Sequence, residues 1–140
     1  MADKPLAELE MTDELVRALL AAQLPELSGL PLELVAEGWD NAMWRLGPEL
    51  AVRLPRRELA AALVLNEQRW LSVLAPRLPV PIPAPVRVGA PGLGYPWHWS
   101  VLPWFEGRHA IELERARAGT LVEPLARFVT ALHVPAPEDA

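Results

Sequence analysis

The sequence predicts an α+β domain in which an antiparallel sheet of about five strands carries one central helix. Three observations lead there. Short runs between Leu32 and Leu54 read as strands broken by tight turns. The apolar period turns helical between Glu58 and Ala75. A proline-rich stretch then leads into two more short strands and a final amphipathic segment.

The elements follow in order. Thr12 is suited to cap a helix, with Asp13 and Glu14 in its first turn, where the helix dipole favours acids. Leu15, Val16, Leu19, Leu20 and Leu24 then share one face, and Pro25 ends it. In LPLELVAEG, Leu32, Leu34 and Ala36 alternate with Glu33, Val35 and Glu37, a strand pattern closing at Gly38. Asn41 to Leu46 is a second strand and Leu50 to Leu54 a third, joined by a Gly47-Pro48-Glu49 turn and stopped by Pro55. The helix from Glu58 to Ala75 is expected to bury Leu59, Leu63, Trp70, Leu71 and Leu74, and Pro76 ends it. The stretch from Ala75 to Pro85 holds five prolines and is expected to be extended and stiff. Val86 to Gly89 and Trp97 to Trp104 are strands around a Gly/Pro turn at Ala90 to Gly94. Ile111 to Ala118 and Leu121 to Leu132 read as helices, before a tail expected to fray. Neighbouring strands tend to pair, which gives the antiparallel sheet.

Bulk properties narrow the function. A chain of 140 residues fits one domain, and 51% hydrophobic residues argue against disorder. The net charge of −5 and the lack of a long basic run make nucleic acid and anionic membranes poor partners. No apolar run approaches the roughly 20 residues that span a bilayer. The acidic start MADKPLAELEMTDE resembles no signal or transit peptide, so a cytoplasmic location is expected. With no cysteine there are no disulfides or thiolate metal sites, and His98, His109 and His133 lack ligand spacing, so no metal site is expected.

Three features could carry chemistry. Arg53 shares a strand face with Ala51, and Glu67 stands four residues from both Leu63 and Leu71, within the apolar stripe. A carboxylate there needs a partner, and a cation on the preceding strand supplies one. Such a pair is either structural or a device that places a cation on nucleotide phosphates. Gly38-Trp39-Asp40-Asn41 is either a hairpin turn or a loop whose glycine lets the backbone approach phosphate. SVLPWFEG, Ser100 to Gly107, is either a core strand with a turn or a hinge against a purine base. Gly92-x-Gly94 has no helix after it, and Trp97, Trp99 and Trp104 are expected in the core. No set of catalytic residues is apparent.

Taken together, EGWDNAMWRLGPELAVRLPRR, NEQRWLSVLAPRLPVPIPAPVRVG and YPWHWSVLPWFEG resemble the N-terminal part of the bacterial aminoglycoside phosphotransferase family, and LARFVTALH its helix leading toward the catalytic loop. The resemblance spans about residues 30 to 134. It implies a protein-kinase-like N-lobe and transfer of a phosphoryl group from ATP or GTP to a hydroxyl of an aminoglycoside or similar small molecule. Carried over, Gly38, Trp39, Asp40 and Asn41 form the phosphate-covering loop and Ala51 lies against the base. Arg53 stands where the family has lysine, with Glu67 as its partner, and Leu102, Pro103 and Trp104 form the hinge. The domains implied are a helical segment at 1–29, the nucleotide-binding lobe at 30–107 with its hinge at 102–107, and at 108–140 the start of a truncated second lobe.

Departures from the family pattern sharpen the expectations. Arginine for lysine keeps the charge but changes the geometry. The loop is poor in glycine, and Pro103 has no N–H to offer a base, so a hinge donor must come from Trp104 or be absent. The family's HGD-type catalytic loop and metal-binding residues have no counterpart, so the chain by itself is expected to be inactive. Mg²⁺ is expected only where the missing lobe is supplied. The uncovered faces of Leu121 to Leu132 and of the Trp97 to Phe105 strand suggest a homodimer. The alternative is a stand-alone nucleotide-binding or protein-interaction module built on the same fold.

Overall fold

The computed structural model describes residues 6–112 and 119–136. Its regular elements are α1 (Asp13–Gln23), β1 (Leu32–Glu37), β2 (Asn41–Leu46), β3 (Leu50–Pro55), α2 (Glu58–Leu74), β4 (Arg87–Gly89), β5 (Trp99–Pro103) and α3 (Val122–Leu132). The strands form one antiparallel sheet in the order β1-β2-β3-β5-β4.

Alternation along the strands sends one set of side chains to each face. Ala42, Trp44 and Leu46 of β2, Val52 and Leu54 of β3, and Trp99 and Val101 of β5 are buried on one face, together with Val16, Leu19 and Leu20 of α1 and Leu24 just beyond it. Thr12 caps α1 as its sequence indicates, its Oγ1 accepting from the Leu15 N–H at 3.2 Å. Asp13 accepts from the buried Trp44 indole at 2.7 Å, which ties the start of α1 to β2. Gln23, at the other end of α1, exchanges two hydrogen bonds of 2.8 Å with the backbone of Ala90, beyond β4.

On the opposite face lies α2. Its Gln68 amide donates to Trp99 O at 2.9 Å and to Ser100 Oγ at 3.0 Å, which stitches it to β5. The residues α2 buries are Ala60 and Val64, each 1% exposed, and not the expected leucines. Leu59 is 77% and Leu63 50% exposed. Small side chains let the helix approach the sheet closely, whereas a leucine stripe would hold it away. Glu67 keeps its place on the inward side, three residues beyond Val64.

Other differences are local. Leu34 is half exposed although it pairs with the buried Trp44, and a bulge between Leu34 and Ala36 breaks the alternation of β1 beyond it. The strand expected at Trp97 to Trp104 is confined to Trp99–Pro103 and is largely buried, so it is not an open face, while Phe105 beyond it is exposed. Trp99 lies in the core as expected, while Trp97 and Trp104 are half-buried. Ala75–Arg77 forms a 3-10 turn before the extended proline segment. The helix expected at Ile111 to Ala118 falls mostly outside the described residues, and Ala110–Glu112 is a 3-10 turn. α3 forms where expected and buries none of its residues. Among the described residues no helix is long and apolar enough to cross a membrane.

Two core positions yield tests. The indole of Trp99 lies against Gly89, where an added Cβ would sit 1.8 Å from Trp99 Cε2. Gly89→Ala is therefore expected to lower stability by about 1–3 kcal/mol through overpacking, while Gly29→Ala, with open space around it, changes little; chemical denaturation measures both. Tyr95, the one tyrosine, is buried and donates to Pro55 O at 3.0 Å. Desolvation holds its ionisation well above the ordinary phenol range. The folded state thus keeps a proton that the unfolded chain releases near pH 10. Stability is expected to be unaffected by this group below about pH 10 and to fall above it, and Tyr95→Phe should remove that fall in alkaline denaturation.

Candidate functional site

The face of the sheet that carries α2 assembles the candidate residues. Alternation in β3 turns Ala51 and Arg53 to this face while Val52 and Leu54 enter the core. Register then places Met43 of β2 beside Arg53, Arg45 beside Ala51, Ser100 of β5 beside Arg53, and Leu102 beside Ala51.

Arg53 Nη1 donates to Glu67 Oε2 at 2.7 Å, so strand and helix are joined by an ion pair. The side chains are 22% and 27% exposed, which makes the pair half-buried instead of sealed. Arg53 also lines a hollow of about 360 Å³ together with Ala36, Gly38, Trp39, Asp40, Asn41 and Met43. The strand cation and the β1–β2 loop thus border one space.

That loop is held firmly. Gly38 N–H donates to Asn41 O at 2.8 Å across its base. Arg56, 6% exposed, donates from its guanidinium to Gly38 O at 2.7 Å and from its backbone to Asp40 O at 2.8 Å. Arg57 forms an ion pair with the Asp40 carboxylate. Trp39 is 54% exposed at the loop tip, and Asn41 Oδ1 is buried with no hydrogen-bond partner among the described residues. Gly38 does not have a positive φ, and an added Cβ would make an ordinary contact of 3.4 Å with Asn41 O. The fold itself therefore leaves room for a larger residue there.

The segment Leu102 to Trp104 continues the sheet. Leu102 is 4% and Ala51 2% exposed, so neither offers an open surface in this conformation. The Trp104 N–H, the donor left by Pro103, is taken by Glu49 O at 2.7 Å. Pairing of Trp104 with Glu49 turns the backbone of Pro103 outward, by the alternation of an antiparallel ladder. The Pro103 carbonyl therefore points away from β3, and a continued extended chain would turn the Phe105 amide the same way. The Trp104 indole donates to Glu106 Oε1 at 3.0 Å, Arg45 donates to the same oxygen at 2.6 Å, and the Arg45 guanidinium sits 4.8 Å from the Trp104 ring centroid. Sequence reasoning missed Arg45, Arg56 and Arg57, and read Glu106 only as part of the hinge segment. Alternation with Met43 could have placed Arg45 on this face.

A sequence model of the phosphotransferase enzyme family matches residues 31–140. No curated protein matches the chain. The GDP complex of wild-type aminoglycoside 2'-phosphotransferase-IIIa superposes with a TM-score of 0.79 at 20% identity, over 89% of this chain and 43% of that one. The GDP and kanamycin complex of APH(2")-IIia gives 0.74 at 21% identity, over 86% and 42%. ADP-bound aminoglycoside phosphotransferase APH(2'')-Ib gives 0.66 at 17% identity, over 91% and 42%. The shared fold is a kinase-like N-lobe, and the chain spans less than half the length of these solved relatives.

The ion pair can be tested alone. Glu67→Ala is expected to destabilise the protein by about 1–3 kcal/mol, the range for a charge-assisted bond that water partly screens. Glu67→Ala and Arg53→Met should be non-additive in a double-mutant cycle read by urea unfolding.

Proposed function

The chain belongs to the phosphotransferase enzyme family, and from that premise we propose that it is the nucleotide-binding lobe of a small-molecule kinase. Its substrates on this reading are ATP or GTP and a hydroxyl of an aminoglycoside or similar compound. The observation that carries the proposal is that Arg53, oriented by Glu67, lines the same hollow as Gly38 to Asn41.

Each residue then has a task. Arg53 donates to phosphate oxygens with its fixed guanidinium fork, and Glu67 holds that fork in place. Gly38 keeps the loop bare so that its backbone can approach the phosphates. Arg56 and Arg57 hold the loop at the height of the hollow. The outward Pro103 carbonyl accepts from the base, and the donor to the base is the Phe105 amide, since the Trp104 amide is occupied. Leu102 and Ala51, buried here, reach the base on this reading only when the side chains that cover them move aside. Residues 30–107 are the nucleotide-binding lobe, 102–107 the hinge, and 108–140 the start of a second lobe.

Phosphoryl transfer needs in-line positioning and charge neutralisation, which Mg²⁺ supplies when bound. A divalent cation needs several oxygen ligands. Among the described residues no three His, Cys, Asp or Glu side chains gather to hold one, and Asp40 is tied to Arg57. The proposal accordingly gives these residues binding and orientation only.

Two measurements test it. Calorimetry with GTP and ATP should detect binding that Arg53→Met weakens by about tenfold or more, and that Gly38→Ala weakens without loss of thermal stability. Absence of any nucleotide binding would overturn the reading. The purified 140-residue chain with kanamycin and MgATP or MgGTP should give no phosphate transfer above a buffer blank.

A further inference from the structure

The helix that carries Glu67 starts at a residue that cannot cap it. Arg57 occupies the N-cap position in an extended conformation, and its side chain makes no capping bond. A guanidinium has no acceptor to offer the free N–H groups of a first turn. The acceptor comes from elsewhere: the Glu58 N–H donates to Glu8 Oε2 at 3.2 Å. The strap reciprocates, since the Glu8 N–H donates to Arg56 O at 3.0 Å. Glu8 thus grips both sides of Arg57.

The strap is anchored on the far side as well. Leu9 and Met11 pack against the core, and Thr12 caps α1. The residues it grips are the ones that hold the β1–β2 loop: Arg56 bonds Gly38 O and Asp40 O, and Arg57 pairs with Asp40. A carboxylate beside a helix N-terminus is also where the helix dipole favours it. From Glu58, α2 runs nine residues, about 14 Å at the helical rise, to Glu67 and its bond to Arg53.

We propose that Glu8 is a positioning residue, a helix cap supplied from the N-terminal strap that fixes the start of α2 and with it both the Gly38–Asn41 loop and the Arg53–Glu67 pair. Its effect on ligands rests on the nucleotide reading above, while its effect on the junction does not.

The test compares the intact chain with Glu8→Ala and Glu8→Gln, by amide hydrogen exchange and by titration with GTP, ATP and guanosine. In Glu8→Ala, exchange of the Glu58 and Ala60 amides should quicken between about twofold and thirtyfold, the range for a lost cap. The Gly38 and Arg56 amides, which bond Asn41 O and Asp40 O, should quicken with them, while β2 amides should not. Affinity for the triphosphates should fall several-fold while that for guanosine holds, a split that general loosening would not give. Glu8→Gln keeps an acceptor oxygen and should recover most of the protection. Unchanged exchange at Glu58 would overturn the proposal, as would faster exchange there with Gly38 and Arg56 unaffected. If the unmodified chain binds no nucleotide, the nucleotide reading fails, and the exchange arm still decides the role of Glu8.

Discussion

Arg56 is a buried cation, and the structure is arranged around accommodating it. Removing a guanidinium from water is costly unless its donors are met. Here one guanidinium nitrogen meets Gly38 O while the buried Nε meets no acceptor among the described residues, and the backbone N–H of the same residue holds Asp40 O and its carbonyl receives Glu8. One residue earlier, Pro55 O accepts from the buried Tyr95 hydroxyl. One residue later, Arg57 pairs with Asp40. The connection between β3 and α2 therefore touches the loop, the strap and the core within four residues. Moving it would expose a charge or strand a polar group in each of them.

From that junction the two sides of β3 diverge in role. Val52 and Leu54 complete the core that α1 covers, while Ala51 and Arg53 look toward α2. What brings α2 within reach is the smallness of Ala60 and Val64 at its contact with the sheet. Helices separated by bulkier residues sit farther from their neighbours. A side chain as short as glutamate's would then not meet Arg53 at 2.7 Å. The ion pair is thus a consequence of packing as much as of charge.

This is also why the sequence was legible in some places and not in others. Thr12, the bounds of β2 and the pairing of Arg53 with Glu67 depend on separations of 14 residues or fewer and on regular periods. The buried face of α2 was misread because apolar size pointed to Leu59 and Leu63, whereas the sheet selects for small residues. Glu8 meets Glu58 across 50 residues and Arg45 meets Glu106 across 61, and no period links them. Pro103's missing donor could be read from its residue type. The loss of the Trp104 amide could not, since it depends on the β3–β5 register continuing one residue beyond Pro103.

The partial exposure of the ion pair bears on what the site can do. A sealed pair would have every donor committed, and a ligand could reach Arg53 only by separating two buried charges, at several kcal/mol. At 22% exposed and with Nη1 on Glu67, Arg53 borders the hollow instead of being shut off from it. Glu67 can then orient the guanidinium without consuming it, because the fork has five N–H donors and a carboxylate occupies at most two in parallel. Lysine would concentrate its charge on one rotatable ammonium, so that sharing it between a helix carboxylate and an anion would loosen both contacts. At this position arginine can divide its donors by geometry, since one nitrogen meets Glu67 and the side chain also lines the space under the loop.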